Sequence, residues 1–397
     1  MTGWSPSALA RHYSRFHVSE RLLLTGHSHQ AWPDCGFEAQ GRAWLDAAEL
    51  VDDKWERAFA EADAVRLGFA RLLDDAPERI ALGANTHELV VRFLSALRLV
   101  ERPRLVTTDG EFHTIRRQLD RLGETGVEVV RVRTHPVRDV AARLAAAVTQ
   151  RTAAVLVSAV LFETAQIVPG LADVLAACGR GGAELLVDAY HALNVVPYSL
   201  RAAGLTGAYV VGGGYKYCQL GEGNCFLRVP DGCALRPVIT GWYSEFAALA
   251  DAPLDGKVRY GAGPARFAGA TYDPTSHYRA AAVFAFFDAQ GLTPALLREV
   301  SQHQVGLLAT RFDALDADPR VITRDRTTPL AAQGGFLALR TPHAAVLCRT
   351  LHERGVLTDY RGDVLRLGPA PYLSDAQLTA AMDAVWEAVR SLPTASP

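Results

Sequence analysis

In this chain of 397 residues, two side chains carry chemistry that their neighbours do not explain. Lys216 stands between two tyrosines in GGGYKYCQLGEG (212–223), directly after the short apolar run AYVV. Asp188 ends another apolar run in VDAYH (187–191), with His191 three residues on. In open α/β sheets ligands bind beyond the carboxyl ends of the strands, so residues at two such ends can meet one. An aspartate and a lysine so arranged suit pyridoxal phosphate (PLP). The amine forms a Schiff base with the aldehyde, and the carboxylate keeps the ring nitrogen protonated so that the ring accepts electrons. Such a lysine must lose its proton easily, which burial beside a cationic ring favours. Taken singly, Lys216 reads as a solvated loop lysine and Asp188 as a turn or helix-cap residue.

The remaining needs of that cofactor have candidates. A phosphate wants a helix N-terminus, and GANTHELVVRFLSALRL (83–99) places Asn85, Thr86 and His87 at the start of an amphipathic helix. An ordinary helix cap reads the same way. DGEFHT (109–114) sets Phe112 and His113 just past a strand, where an aromatic face can stack on a ring or simply fill the core. An amino-acid carboxylate calls for a guanidinium fork, and DYRGDVLRLGPAPYLS (359–374) offers Arg361 and Arg366. Arg366 lies inside an apolar strand pattern, where an uncompensated charge is expensive, and this favours a ligand partner.

The elements that must hold these residues alternate. RLVTTDG (104–110), VEVVRVRT (127–134), TAAVLVSAV (152–160) and AELLVDAY (183–190) are short apolar runs. Between them HTIRRQLDRLGETG, VRDVAARLAAAVTQ and LADVLAACGRGG have helical period, the first and last closed by glycine. The alternation predicts an α/β fold with a large, doubly wound, mostly parallel sheet. After residue 275 long helical stretches (277–291, 293–315) precede two strand candidates and a terminal helix (375–392), as in a smaller α+β unit. The expected division is 24–275 and 276–397, with segment 1–23 packing on the smaller part. Composition, 49% apolar and 21% charged, is globular. A net charge of −2 gives no footprint for nucleic acid or an anionic membrane. No apolar run is long enough to span a bilayer, and the N-terminus has no signal-peptide pattern. Six cysteines without a CxxC pair point to no metal site and to a reducing, cytoplasmic setting.

Set in order along residues 24–375, these segments resemble the class V (fold-type I) aminotransferase superfamily, kynureninase most closely. GGGYKYCQLGEG is similar to its lysine segment GxGYKYxxGGPG, and DAYHALNVVPYSL to DxAHxxGxxPxxL. TGWYSEF (240–246) is similar to GWWGH, RFAGAT (266–271) to RFxxGT, and DYRGDVLRLGPAPYL to DFRxPxxLRFGxxPLY. The resemblance implies the fold-type I PLP-dependent transferase fold and a homodimer with its active site at the interface. It implies that Lys216 is the Schiff-base lysine, that Asp188 meets the pyridine nitrogen, and that His191 and Phe112 lie beside the ring. Thr86, Tyr215 and Trp242 would contact the phosphate, Thr271 would come from the second subunit, and Arg366 would bind the substrate carboxylate. His27, Ser28 and His29, in GHSHQ where the family has GNSLG, would face substrate. Glu222 replaces the family proline, and FHTI replaces FPTD. The glycines before Lys216 would let the backbone approach the cofactor. The implied reaction is hydrolysis of a Cβ–Cγ bond in kynurenine or a related amino acid, with Tyr215 returning a proton to Cβ. A class V aminotransferase and a C–S β-lyase stay open, and a non-catalytic binding module is the remote alternative. A cysteine desulfurase would need a mobile-loop cysteine, whereas Cys348 sits in a helical pattern.

Overall fold

The computed structural model describes residues 5–251 and 256–392. The first four residues of the N-terminal segment and the last five of the expected smaller unit therefore lie outside the described residues. After α1 (Pro6–Ala10) and the two-residue β1 (Leu22–Leu23) come two long helices, α2 (Cys35–Leu50) and α3 (Lys54–Leu73). Alternation then runs β2 (Ile80–Gly83), α4 (Thr86–Ser95), β3 (Arg104–Thr108), α5 (His113–Gly123), β4 (Glu128–Val132) and α6 (Val140–Ala147). It continues with β5 (Thr152–Ser158), α7 (Leu171–Gly181), β6 (Glu184–Asp188), β7 (Tyr209–Gly213) and β8 (Cys225–Arg228). The expected strands and helices from Arg104 to Gly182 are all present.

The seven strands order as β2-β8-β7-β6-β5-β3-β4, and β8 alone runs against the rest. Successive side chains leave a strand on opposite faces, and on β5 this splits the core in two. Ala154 and Leu156 pack with Leu89, Val90 and Phe93 of α4 and Ile115 of α5. Val155 and Val157 pack with Val140 of α6, Val174 of α7 and Phe69 of α3. All seven β5 residues are buried, which is why the strand reads as a continuous apolar run rather than an alternating one. Each such Leu or Val contributes roughly 1.5–3 kcal/mol of transfer free energy. Gly182, left-handed at φ 65°, closes α7 as its sequence suggests.

The remainder comprises α8 (Thr275–Ala289), α9 (Pro294–Ala314), β9 (Thr323–Arg324), β10 (Leu337–Arg340) and α10 (Ala344–Glu353). It ends with β11 (Val356–Leu357), β12 (Asp359–Arg361), β13 (Val364–Leu367) and α11 (Asp375–Arg390). A four-stranded antiparallel sheet, β12-β13-β10-β9, forms there, and β1 pairs in parallel with β11. A capping box between Ser374 and Gln377 starts α11. α8 packs on α2 and α3, with the helices that cover the large sheet, although a division at 275/276 assigns it to the smaller part. Among the described residues no single helix is long and apolar enough to cross a membrane.

The large sheet carries a buried charge near the amino ends of β2 and β7, where Arg228 stands opposite Ile80 and Val210. Arg228 of β8 is wholly buried; its Nε donates to Asp75 at 2.5 Å and its Nη1 to the carbonyls of Thr206 and Ala208 at 2.8 Å. Removing the acid would leave an uncompensated buried guanidinium, at a cost of about 3–5 kcal/mol. Asp75→Ala is therefore expected to lower unfolding free energy by about 3 kcal/mol in urea titrations. A loss under about 1 kcal/mol would show that the carbonyls alone satisfy Arg228.

Candidate active site

β5, β6 and β7 end side by side, with Ser158 opposite Asp188 and Asp188 opposite Val211 in the register. Their carboxyl ends open into a cleft of about 460 Å³, including its open mouth, lined by Thr86, Phe112, Ser158, Asp188, His191 and Lys216 among others. Chain order alone separates Asp188 from Lys216. The parallel β6–β7 pair brings them to one edge.

Lys216 is buried, and its Nζ lies 2.6 Å from Nε2 of His191. The amine also sits 4.8 Å from the ring centre of Tyr190, 5.5 Å from that of Phe112 and 5.9 Å from that of Tyr215. Burial lowers its pKa to about 7, against the opposing pull of Asp188. Burial, and then the neighbouring lysine, holds His191 well below the usual imidazole range. Asp188 accepts the Tyr190 backbone N–H at 2.8 Å, yet burial still raises its pKa above the ordinary value. The site thus holds an amine and an imidazole that are both readily neutral, beside a carboxyl with spare acceptor capacity.

The three glycines before Lys216 have a packing reason. None is left-handed. A Cβ at Gly213 would run into Tyr190 and Cys225, and one at Gly214 into Leu220. The turn that follows does need unusual backbone, at Gly221 (φ 67°) and Gly223 (φ 88°).

The other candidates separate into groups. Phe112 caps α5 and meets Phe162 edge-on at 5.4 Å between ring centres. Thr86 opens α4 and lines the cleft. Asn85 does not line it: its side chain accepts the Glu88 N–H at 2.9 Å, capping its own helix. His87 is exposed and also absent from the lining. Tyr215 lines the cleft, its pKa raised to about 12 by burial. His29 stacks on its ring at 4.8 Å, with Glu222 3.5 Å from the imidazole, while Ser28 bonds His29. Trp242 and Thr271 do not reach this cleft within one chain. Thr271 lines a second, larger cavity with Tyr243, Gly83 and Glu88, and Trp242 is partly exposed against Tyr243 and Phe246.

Arg366 and His27 differ most from expectation. The guanidinium is compensated inside the chain: Nε donates to Asp359 at 2.9 Å, Nη2 to its other oxygen, and Nη1 to the Phe162 carbonyl at 2.6 Å. His27 is wholly buried and bonds the same Asp359 through Nε2 at 2.6 Å. It therefore stands behind the arginine instead of facing the cleft.

Glu111 lies behind the cleft-lining Ser158, and the sequence patterns leave it unmarked. Its buried carboxyl accepts from Ser158 Oγ and Thr108 Oγ1, both at 2.6 Å, and burial raises its pKa to about 7. A signal for it exists in DGEFHT, where an acid sits between a buried strand and the cleft-lining Phe112.

Comparison with known proteins agrees with this architecture. A family model, the kynureninase C-terminal domain, matches residues 297–385. An uncharacterised aminotransferase, YcbU of Bacillus subtilis (strain 168), is 22% identical over 361 residues, covering 86% of this chain and 88% of that protein. A mutant of C-DES with glycine covalently linked to its PLP cofactor superposes with a TM-score of 0.81 at 16% identity, covering 95% and 98% of the two chains. Apo cysteine desulfurase from Thermococcus onnurineus NA1 gives 0.81 at 16% identity, over 99% and 100%. The chain has a class V aminotransferase-like fold. It is the fold of fold-type I PLP enzymes, with a large mostly parallel sheet.

The depressed lysine pKa has a consequence for stability. With a folded value near 7 and an ordinary value of 10.5, the unfolded chain binds more protons between those limits. The penalty for burying the ammonium is full below pH 7 and vanishes as pH rises towards 10.5. Cofactor-free protein should accordingly gain stability relative to its Lys216→Met variant across that window, with a slope of about 1.4 kcal/mol for each step of one in pH. Denaturant titrations at both ends measure it, and a constant difference would mean that the amine keeps its charge.

Proposed function

We propose that this protein is a PLP-dependent enzyme catalysing a kynureninase-like hydrolysis: water cleaves the Cβ–Cγ bond of a γ-keto amino acid such as kynurenine, giving alanine and a carboxylic acid. The observation that carries the reading is the convergence of Lys216, Asp188 and His191 in one cleft, with an amine able to shed its proton near neutral pH.

The residues present fit the cofactor. Thr86 at the start of α4 would hold the phosphate, Asp188 the pyridine nitrogen and Lys216 the aldehyde carbon, while Phe112 and His191 would flank the ring. When bound, the group supplies an electrophilic carbonyl and an electron sink. Lys216 Nζ then acts as covalent anchor and as base towards Cα, and the His191 bond fixes its direction. Tyr215, with its phenol kept protonated, donates to Cβ as the bond breaks. Arg366 receives the substrate carboxylate. Matching of the C-terminal portion to the kynureninase model favours this reaction within the class.

The site is completed by a second copy. Val238, Ile239, Trp242, Phe246 and Leu249 are exposed apolar side chains within one short stretch, with Trp242 against Phe246. Thr271 lines the adjoining cavity. A homodimer that buries this stretch would bring Trp242 and Thr271 to the partner's phosphate.

An aminotransferase or a C–S β-lyase would keep every role above except that of water at Cγ. A cysteine desulfurase has weaker support, since none of the six cysteines lines the cleft and Cys348 lies in α10. Incubation of the holoenzyme with kynurenine and 3-hydroxykynurenine is expected to release alanine and an aromatic acid. Release of pyruvate, or transfer of the amino group to a keto acid, would select the alternatives. Lys216→Ala is expected to abolish the borohydride-reducible yellow adduct, and persistence of that adduct would overturn the cofactor assignment.

A further inference from the structure

We propose that His27 and Asp359 are positioning residues that lock the guanidinium of Arg366, so that its two remaining N–H groups meet a substrate carboxylate as a fixed edge. The inference rests on the reading of Arg366 as the carboxylate-binding residue. Asp359 and Arg366 face each other directly across the β12–β13 pair. A guanidinium carries five N–H groups. Two go to the oxygens of Asp359 and one to the Phe162 carbonyl, whose ring lines the cleft. One N–H is left on each terminal nitrogen, the number a carboxylate can take in parallel.

His27 fixes the acid in turn. An ionised carboxylate only accepts, so Nε2 of His27 carries the hydrogen in their 2.6 Å bond. The imidazole is wholly buried, packs on Phe336 at 4.7 Å between ring centres, and fits only because residue 368 is glycine. Backbone ties the same segment to that glycine, with Gly26 N–H donating to the Gly368 carbonyl at 2.7 Å. The amino-terminal loop is thus joined to the end of β13 and, through Asp359, to the arginine. GHSHQ, the segment that departs from the family pattern, acquires a purpose without its first histidine touching substrate.

The rival account is that Asp359 competes with the substrate carboxylate, in which case its removal would tighten binding. Titration of the holoenzyme with kynurenine and with alanine, followed by cofactor absorbance and by calorimetry, separates the two. Asp359→Asn and His27→Ala are expected to weaken binding about tenfold or more, as loss of a supporting hydrogen bond does elsewhere. They should raise KM more than they lower kcat and leave cofactor content unchanged. His27→Gln, whose amide N–H reaches the position of Nε2, should recover most of the loss; equal losses in His27→Gln and His27→Ala would overturn the donor role. Unchanged or tighter binding in Asp359→Asn and His27→Ala would overturn the proposal. Arg366→Ala run in parallel tells the two levels apart: if it leaves binding intact, the assignment of the arginine falls; if it alone weakens binding, only the positioning role falls. Should Asp359→Asn not fold, the two His27 variants decide.

Discussion

A primary amine buried at the end of a parallel sheet sets the terms for everything around it. An ammonium removed from water without a contacting anion costs several kcal/mol, so the group is driven towards its neutral form. The only polar group in bonding contact with Lys216 Nζ among the described residues is an imidazole that burial also keeps uncharged. Tyr190, Phe112 and Tyr215 supply ring faces at distances that soften the cost of a transient charge without cancelling it. A closer carboxylate would have stabilised the ammonium and left a poor nucleophile. Asp188 is near enough to act and is partly occupied by the Tyr190 N–H.

That arrangement depends on a scaffold that can bury one edge. Helices cover both faces of the seven-stranded sheet, so β5, β6 and β7 are apolar through their middles, and β5 and β6 end in Ser158 and Asp188. The smaller antiparallel sheet delivers Arg366 from another part of the chain. The guanidinium bonds the Phe162 carbonyl of the cleft wall, and Gly334 N–H to the Ala165 carbonyl and Ile167 N–H to the Ala332 carbonyl join the same two parts of the chain.

Much of this is legible in the sequence. Strand runs betray themselves by apolar continuity and length, and the residue that ends such a run at a polar side chain is a ligand candidate; Asp188 and Lys216 both stand out in that way. Arg366 stands out as a charge needing a partner, but the partner in the chain is Asp359, seven residues earlier. Cross-strand register decides that pairing, and register is not written in composition. The glycine run suggests close approach of backbone to a ligand, whereas side-chain bulk from Tyr190, Cys225 and Leu220 explains it. Asn85 reads as a ligand residue because capping residues and anion-binding residues are the same types, and here the helix uses the side chain itself. Trp242 and Thr271 lie outside the cleft of their own chain, and their local sequence patterns carry no mark of that placement. Helices α2 and α3 have no counterpart among the sequence expectations.

The packing of Tyr190 into the space above Gly213 carries an evolutionary consequence. Neither position can drift alone, since any side chain at 213 collides with the phenol, and shrinking the phenol first opens a void beneath the lysine. Cys225 Sγ stands as close to that position as the phenol does, so a side chain at 213 needs room from both neighbours. Among homologues residues 190, 213 and 225 should therefore covary as a set beneath the amine.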